Sequence, residues 1–100
     1  MDDNTFVVAV RGNGMKNAGL SDGDLVRCVR AESAKDGDIV YAFIKNRNCI
    51  DWWTLARYRE EDGAIHLYSE TDEPSYAPFI RVSARYLKIF GIFQNVVKWH

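Results

Sequence analysis

Few residues in this chain could do chemistry. There are five serines, Ser21, Ser33, Ser69, Ser75 and Ser83, and two histidines, His66 and His100. A Ser-His-Asp centre would have to use His66, because His100 is the last residue, a position that usually frays. No serine stands in a nucleophile-elbow context, and a lone strand histidine is more often a surface or edge residue than a catalyst. Asp22, Asp24, Asp36 and Asp38 all lie in turn contexts, where backbone preference explains aspartate and glycine, so no metal site is expected. Arg11-Gly12-Asn13-Gly14-Met15 is glycine-rich, but it lacks the GK[ST] ending of a phosphate loop and no helix pattern follows. No cofactor site is implied. Cys28 and Cys49 could form at most one bridge, and they have neither CxxC spacing nor a histidine at zinc spacing. They read as two reduced thiols of a cytoplasmic protein. Asp51-Trp52-Trp53 invites a different question. Adjacent residues on a strand point to opposite faces, so one tryptophan can enter a core while the other meets solvent, a loop or a partner.

The elements that position these residues are strands. The chain has 100 residues, 47% of them hydrophobic and 27% charged, which suits one small globular domain. Thirteen basic and fourteen acidic residues give a formal charge of −1. That balance excludes a generically basic nucleic-acid sleeve and a polybasic membrane anchor. No apolar run approaches the roughly 20 residues of a membrane helix, and Met1-Asp2-Asp3-Asn4 has no signal-peptide character. Strands are expected at 5–10, 25–30, 38–44, 49–59, 64–68 and 86–99, from β-branched and aromatic runs bounded by turn residues. The segment 38–44 is apolar enough to be buried on both faces. Met15 to Leu20 allows one irregular or 3₁₀ turn. Glu60-Glu61-Asp62-Gly63 reads as a turn, and Ser69 to Pro78 as a polar loop. Gly91 marks a bend or bulge in the last strand. No stretch sustains a helical apolar period, so the expected fold is mostly β.

Several landmarks then form one ordered pattern. Val10-Arg11-Gly12-Asn13-Gly14-Met15-Lys16-Asn17-Ala18-Gly19-Leu20, followed by Asp22-Gly23-Asp24-Leu25-Val26, resembles the first motif of the LexA-type self-cleaving serine peptidases. These include LexA, the lambda-type repressors and the UmuD-type polymerase subunits. Their motif runs roughly G-x-S-M-x-x-x-G-[IL]-x-x-G-D-[LI]-[VL]. Asp36-Gly37-Asp38-Ile39-Val40-Tyr41-Ala42 is similar to the family's G-[DQ]-[IV]-V-x-A strand, and Thr54-Leu55-Ala56-Arg57-Tyr58 to its T-[VL]-K-R-[LY] motif. Ser69-Glu70-Thr71 with Pro78 resembles its P-E-N loop, and Ile89-Phe90-Gly91-Ile92-Phe93 its terminal I-x-G-x-[VA] strand. Any one motif is weak, whereas the ordered set covers nearly the whole chain. The resemblance implies a single domain over 1–100 with the LexA C-terminal fold, which signal peptidases share.

Two departures bear on function. The family's nucleophilic serine falls at Gly14 and its catalytic lysine at Ala56. A serine needs a base to remove its proton, and a lysine serves only where burial keeps it neutral. Gly14 and Ala56 can do neither. Arg57 stays protonated and, on a strand, faces away from position 56. The resemblance therefore implies a catalytically inactive C-terminal domain of a LexA-like SOS-response or phage repressor. Gly12, Asn13, Met15, Thr54 and Arg57 would flank the emptied site. Trp52 and Trp53, on a hairpin longer than in familiar members, would line or shield it. The family's cleavage-site segment and DNA-binding head would lie outside this chain. Homodimerisation through Phe90, Ile92 and Phe93, with Val96 and Val97, would survive, although alternation sends half of these into the core. DNA would be met only through the separate head, and a recombinase filament through the full-length protein. Two alternatives stay open: a free-standing UmuD-like interaction subunit, and an active self-peptidase whose dyad was removed by mutation.

Overall fold

The computed structural model describes residues 4–45 and 52–97. The hairpin tip at 46–48, Cys49, Asp51, Trp99 and His100 lie outside the described residues. Seven strands form one antiparallel sheet: β1 (Thr5–Ala9), β2 (Leu25–Arg30), β3 (Ile39–Ile44), β4 (Trp52–Glu61), β5 (Ala64–Tyr68), β6 (Phe79–Val82) and β7 (Leu87–Val97). Their spatial order is β1-β2-β7-β3-β4-β5-β6. The helical content among the described residues is two 3₁₀ turns, Lys16–Ala18 and Ala84–Tyr86. The mostly-β reading is therefore correct.

Side-chain alternation along β3 sets up two cores, one on each side of the sheet. Val40, Ala42 and Ile44 pack with Ala56, Tyr58, Leu67, Val82 and Ile89. On the other side, Ile39 packs with Val10, Met15, Leu20, Val26 and Cys28. Complete burial of β3 on both faces does not hold. Tyr41 and Phe43 are only half-buried and belong to an aromatic group with Trp53 and Phe90.

Three other expectations change. The sequence reading gave Phe79–Val82 no strand, yet this segment pairs with β5 from Tyr68↔Phe79 to Ile65↔Val82. Its four residues, one of them arginine, are too short and mixed to declare a period. The turn expected at 60–63 shrinks to Asp62-Gly63, because β4 continues through Glu61 and pairs Glu61 with Ala64. Both turn residues have positive φ, 52° and 77°, the geometry of a two-residue hairpin that follows strand twist. The second 3₁₀ turn, at Ala84–Tyr86, also lacked a sequence signal.

The last strand is the hinge of the architecture. It pairs with β3 through Leu87–Ile92 and with β2 through Gly91–Val97. Both registers slip, at Tyr41/Ala42 against β3 and at Arg27/Cys28 against β2. Gly91 sits at the changeover. A Cβ there would lie 2.6 Å from the Phe6 ring and 2.9 Å from the Val29 carbonyl oxygen. Glycine is thus required by close approach, and the bend or bulge expected at this position is present.

Candidate functional site

The segment after β1 is built by turn chemistry. The Gly12 N–H donates to Asp22 Oδ1 at 2.6 Å, and the Asp22 N–H donates to Asn13 Oδ1 at 3.2 Å. The Val10 N–H donates to the Asp24 carbonyl at 2.7 Å, and the Gly23 N–H to the Val10 carbonyl at 2.9 Å. Asp22 and Asp24 therefore serve the backbone, as their context suggested. Met15 and Leu20 are buried in the core beneath, and the 3₁₀ turn Lys16–Ala18 ends on Gly19 at φ 88°.

The opposite wall is β4. This strand pairs with β3 from Trp52 to Arg57, but with β5 only from Arg57 onward. One backbone edge of Trp52–Ala56 thus has no strand partner among the described residues. A cavity of about 370 Å³ wraps that edge. It draws Trp52, Thr54 and Ala56 from one face of β4 and Trp53 and Leu55 from the other.

The third wall is the loop between β5 and β6. It closes on itself where the Ser69 N–H donates to the Pro78 carbonyl at 3.0 Å. It is strapped across the first motif. The Glu70 N–H donates to the Gly14 carbonyl at 2.8 Å, and the Asn17 N–H to the Glu70 carbonyl at 2.7 Å. Arg57 holds the same residue from β4. Its Nη2 donates to Glu70 Oε1 at 2.8 Å and its Nη1 to the Gly37 carbonyl at 2.9 Å. Tyr76 reaches inward from this loop, and its hydroxyl accepts the Asn13 N–H at 3.0 Å.

The structure places the expected site residues as follows. Gly12, Gly14, Met15, Trp52, Trp53, Thr54 and Ala56 all line the one cavity. Asn13 adjoins it through its backbone N–H. Arg57 is not in the lining and acts on the Glu70 strap instead. Trp53 stacks on Tyr41, with ring centroids 5.0 Å apart, and meets Phe90 at 4.6 Å. Ile92 and Phe93 are partly buried and pack on the two cores of their own chain. His66 is outside the lining, between Tyr68 and Phe79. Its side chain is half-buried rather than at the surface, and its Nδ1 has no hydrogen-bond partner.

Sequence reasoning missed Tyr76, the residue most intimate with Gly12 and Gly14. The available signal was an aromatic between Pro74 and Pro78 in an otherwise polar loop.

The chemistry of the lining is sparse. Its polar side chains are Arg11, Tyr41, Thr54, Ser69, Ser75 and Tyr76, plus the indole N–H groups of Trp52 and Trp53. Lysine, histidine and carboxylates are absent from it among the described residues. Arg11 is permanently protonated and cannot act as a base. Burial pushes the Tyr41 phenol above its usual pKa, Cys28 adds to the rise, and Arg11 opposes it. It stays neutral at pH 7. No group of three or more histidine, cysteine or acidic residues among the described ones could hold a metal.

Fold and site together define a small β domain whose cleft lies against an open sheet edge. The chain belongs to the Peptidase S24-like family, which matches residues 1–93. It is similar to LexA repressors. That of Shewanella sediminis (strain HAW-EB3) is 30% identical over 94 residues, covering 93% of this chain and 42% of that protein. That of Ligilactobacillus salivarius (strain UCC118) is 32% identical over 96 residues, 95% of this chain and 44% of that protein. That of Oceanobacillus iheyensis (strain HTE831) is 31% identical over 97 residues, with the same two coverages. The chain spans less than half the length of these relatives. No helix among its described residues is long and apolar enough to cross a membrane.

Proposed function

We propose that this chain is the C-terminal domain of a LexA-like repressor, retaining the peptidase fold and a dimerising role without the cleavage chemistry. The observation that carries this reading is the lining of the cleft. Gly14 and Ala56 border one cavity, and no lysine, histidine or carboxylate joins them there among the described residues. An acyl-transfer centre needs a nucleophile and a base within hydrogen-bond reach of each other. The hydroxyls of Thr54, Ser69 and Ser75 have no such base in the lining. DNA binding, cytoplasmic location and any response to a recombinase filament are functions of the longer protein under this proposal. The dimer would use β7, with the half-buried Phe90 outside both cores.

The test is covalent labelling. The protein is incubated with a serine-directed fluorophosphonate at pH 7 to 9 and weighed intact by mass spectrometry. Unchanged mass is expected throughout. A stoichiometric adduct on any serine would overturn the inactive reading.

A further inference from the structure

We propose that the Tyr76 ring plugs the Gly12–Gly14 backbone, and that it must shift before position 14 can carry a side chain. The proposal rests on the inactive reading above and extends it from a missing dyad to a covered Gly14.

Gly12 has φ 80°, where glycine is favoured whatever the surroundings. Gly14 is not among the residues of positive φ, so its backbone would accept any L residue. What limits a side chain at Gly14 is space, which is tight enough that the Tyr76 ring must give by a few tenths of an ångström. A Cβ there would lie 3.1 Å from Tyr76 Cε1 and 3.4 Å from Cδ1. At Gly12 a Cβ would collide with the Tyr76 hydroxyl oxygen. One ring thus covers both glycines, and its hydroxyl takes the N–H between them.

The plug is not a loosely draped side chain. Its loop is closed at the base by Ser69 and Pro78, pinned to the first motif through Glu70, and pinned to β4 through Arg57. The Asn17 amide adds a bond from Nδ2 to Asp72 Oδ1 at 3.2 Å. The Cβ of a serine at position 14 would press on this ring. Placing a serine there requires the Tyr76 ring to shift with it.

A double-mutant cycle tests the coupling. Thermal midpoints are measured for Gly14→Ala, Tyr76→Ala and the double variant. Gly14→Ala is expected to lower the midpoint by several degrees in the parent. In the Tyr76→Ala background it should leave the midpoint unchanged or raise it, since alanine then only restricts the unfolded chain. Equal effects of Gly14→Ala in both backgrounds would overturn the proposal. Tyr76→Phe keeps the ring and removes the acceptor. Hydrogen exchange at the Asn13 amide should then accelerate at least tenfold, and unchanged exchange would overturn the hydroxyl's part. Failure here is distinct from failure of the inactive reading. Additive midpoints with no fluorophosphonate adduct would remove the plug and keep the inactivity. A labelled serine with a coupled cycle would do the reverse.

Discussion

At the scale of single residues, Cys28 carries an alkaline liability. It is fully buried, and burial pushes its thiol up from 9.0 to about 11. The thiolate is easier to form in the unfolded chain, so stability is complete below about pH 9. It is lost as pH rises through the folded value. Two pH units of separation correspond to about 3 kcal/mol at the limit. Tyr58, raised to about 12 by burial and by its hydrogen bond to Glu60, adds a later loss in the same direction. Urea midpoints followed from pH 7.5 to 11 should fall steadily from about pH 9. Cys28→Ala should be less stable at neutrality, through the lost packing, yet show a flatter curve between pH 9 and 10. An equally steep fall in the variant would assign the effect elsewhere.

At the scale of elements, β7 shows why a strand can need a residue that is poor for strands. Gly91 admits the Phe6 ring from β1 and the Val29 carbonyl from β2 at one point. Gly91→Ala should cost about 1–3 kcal/mol by overpacking, read as a shift in urea midpoint. Phe6→Leu should recover only part of it, because the Val29 carbonyl remains at 2.9 Å from the new Cβ. Full recovery would place all the strain on the ring.

The same elements show what the sequence could reveal. Gly91 was legible, because an isolated glycine in an apolar alternation has few uses. The strands β2, β3 and β5 were legible from local runs between turn residues. The strand β6 was not, since its four residues become a strand by pairing with β5. At the site, it was the resemblance to the LexA-type motifs that marked Gly12, Gly14 and Ala56. Tyr76 was hidden, because its contact with the two glycines spans more than sixty positions of chain, and local pattern says nothing about such partners.

For the whole molecule, the question is what a second copy could use. The strand β7 lies inside the sheet, but its two neighbours meet it along different stretches. Beyond Ile92 its β3-side edge has no described partner, while Ile92 and Phe93 are already committed to the two cores. Of the five residues expected at a dimer contact, Phe90 and Val97 are outside both cores. Phe90 sits beside Trp53, which is 48% exposed, and beneath Lys88, whose Nζ lies 5.1 Å from the Phe90 ring centroid. The exposed Trp53 ring and the half-buried Phe90 beside it offer apolar surface that association would bury. Sedimentation equilibrium across a hundredfold range of concentration should therefore show a reversible dimer. Phe90→Asp should weaken it at least tenfold, because the charge would have to be desolvated at the contact. Circular dichroism of the dilute variant should match the parent, which separates lost association from lost folding. A parent that stays monomeric throughout would remove dimerisation from the proposed function and leave the domain's surviving role to be sought at the cleft.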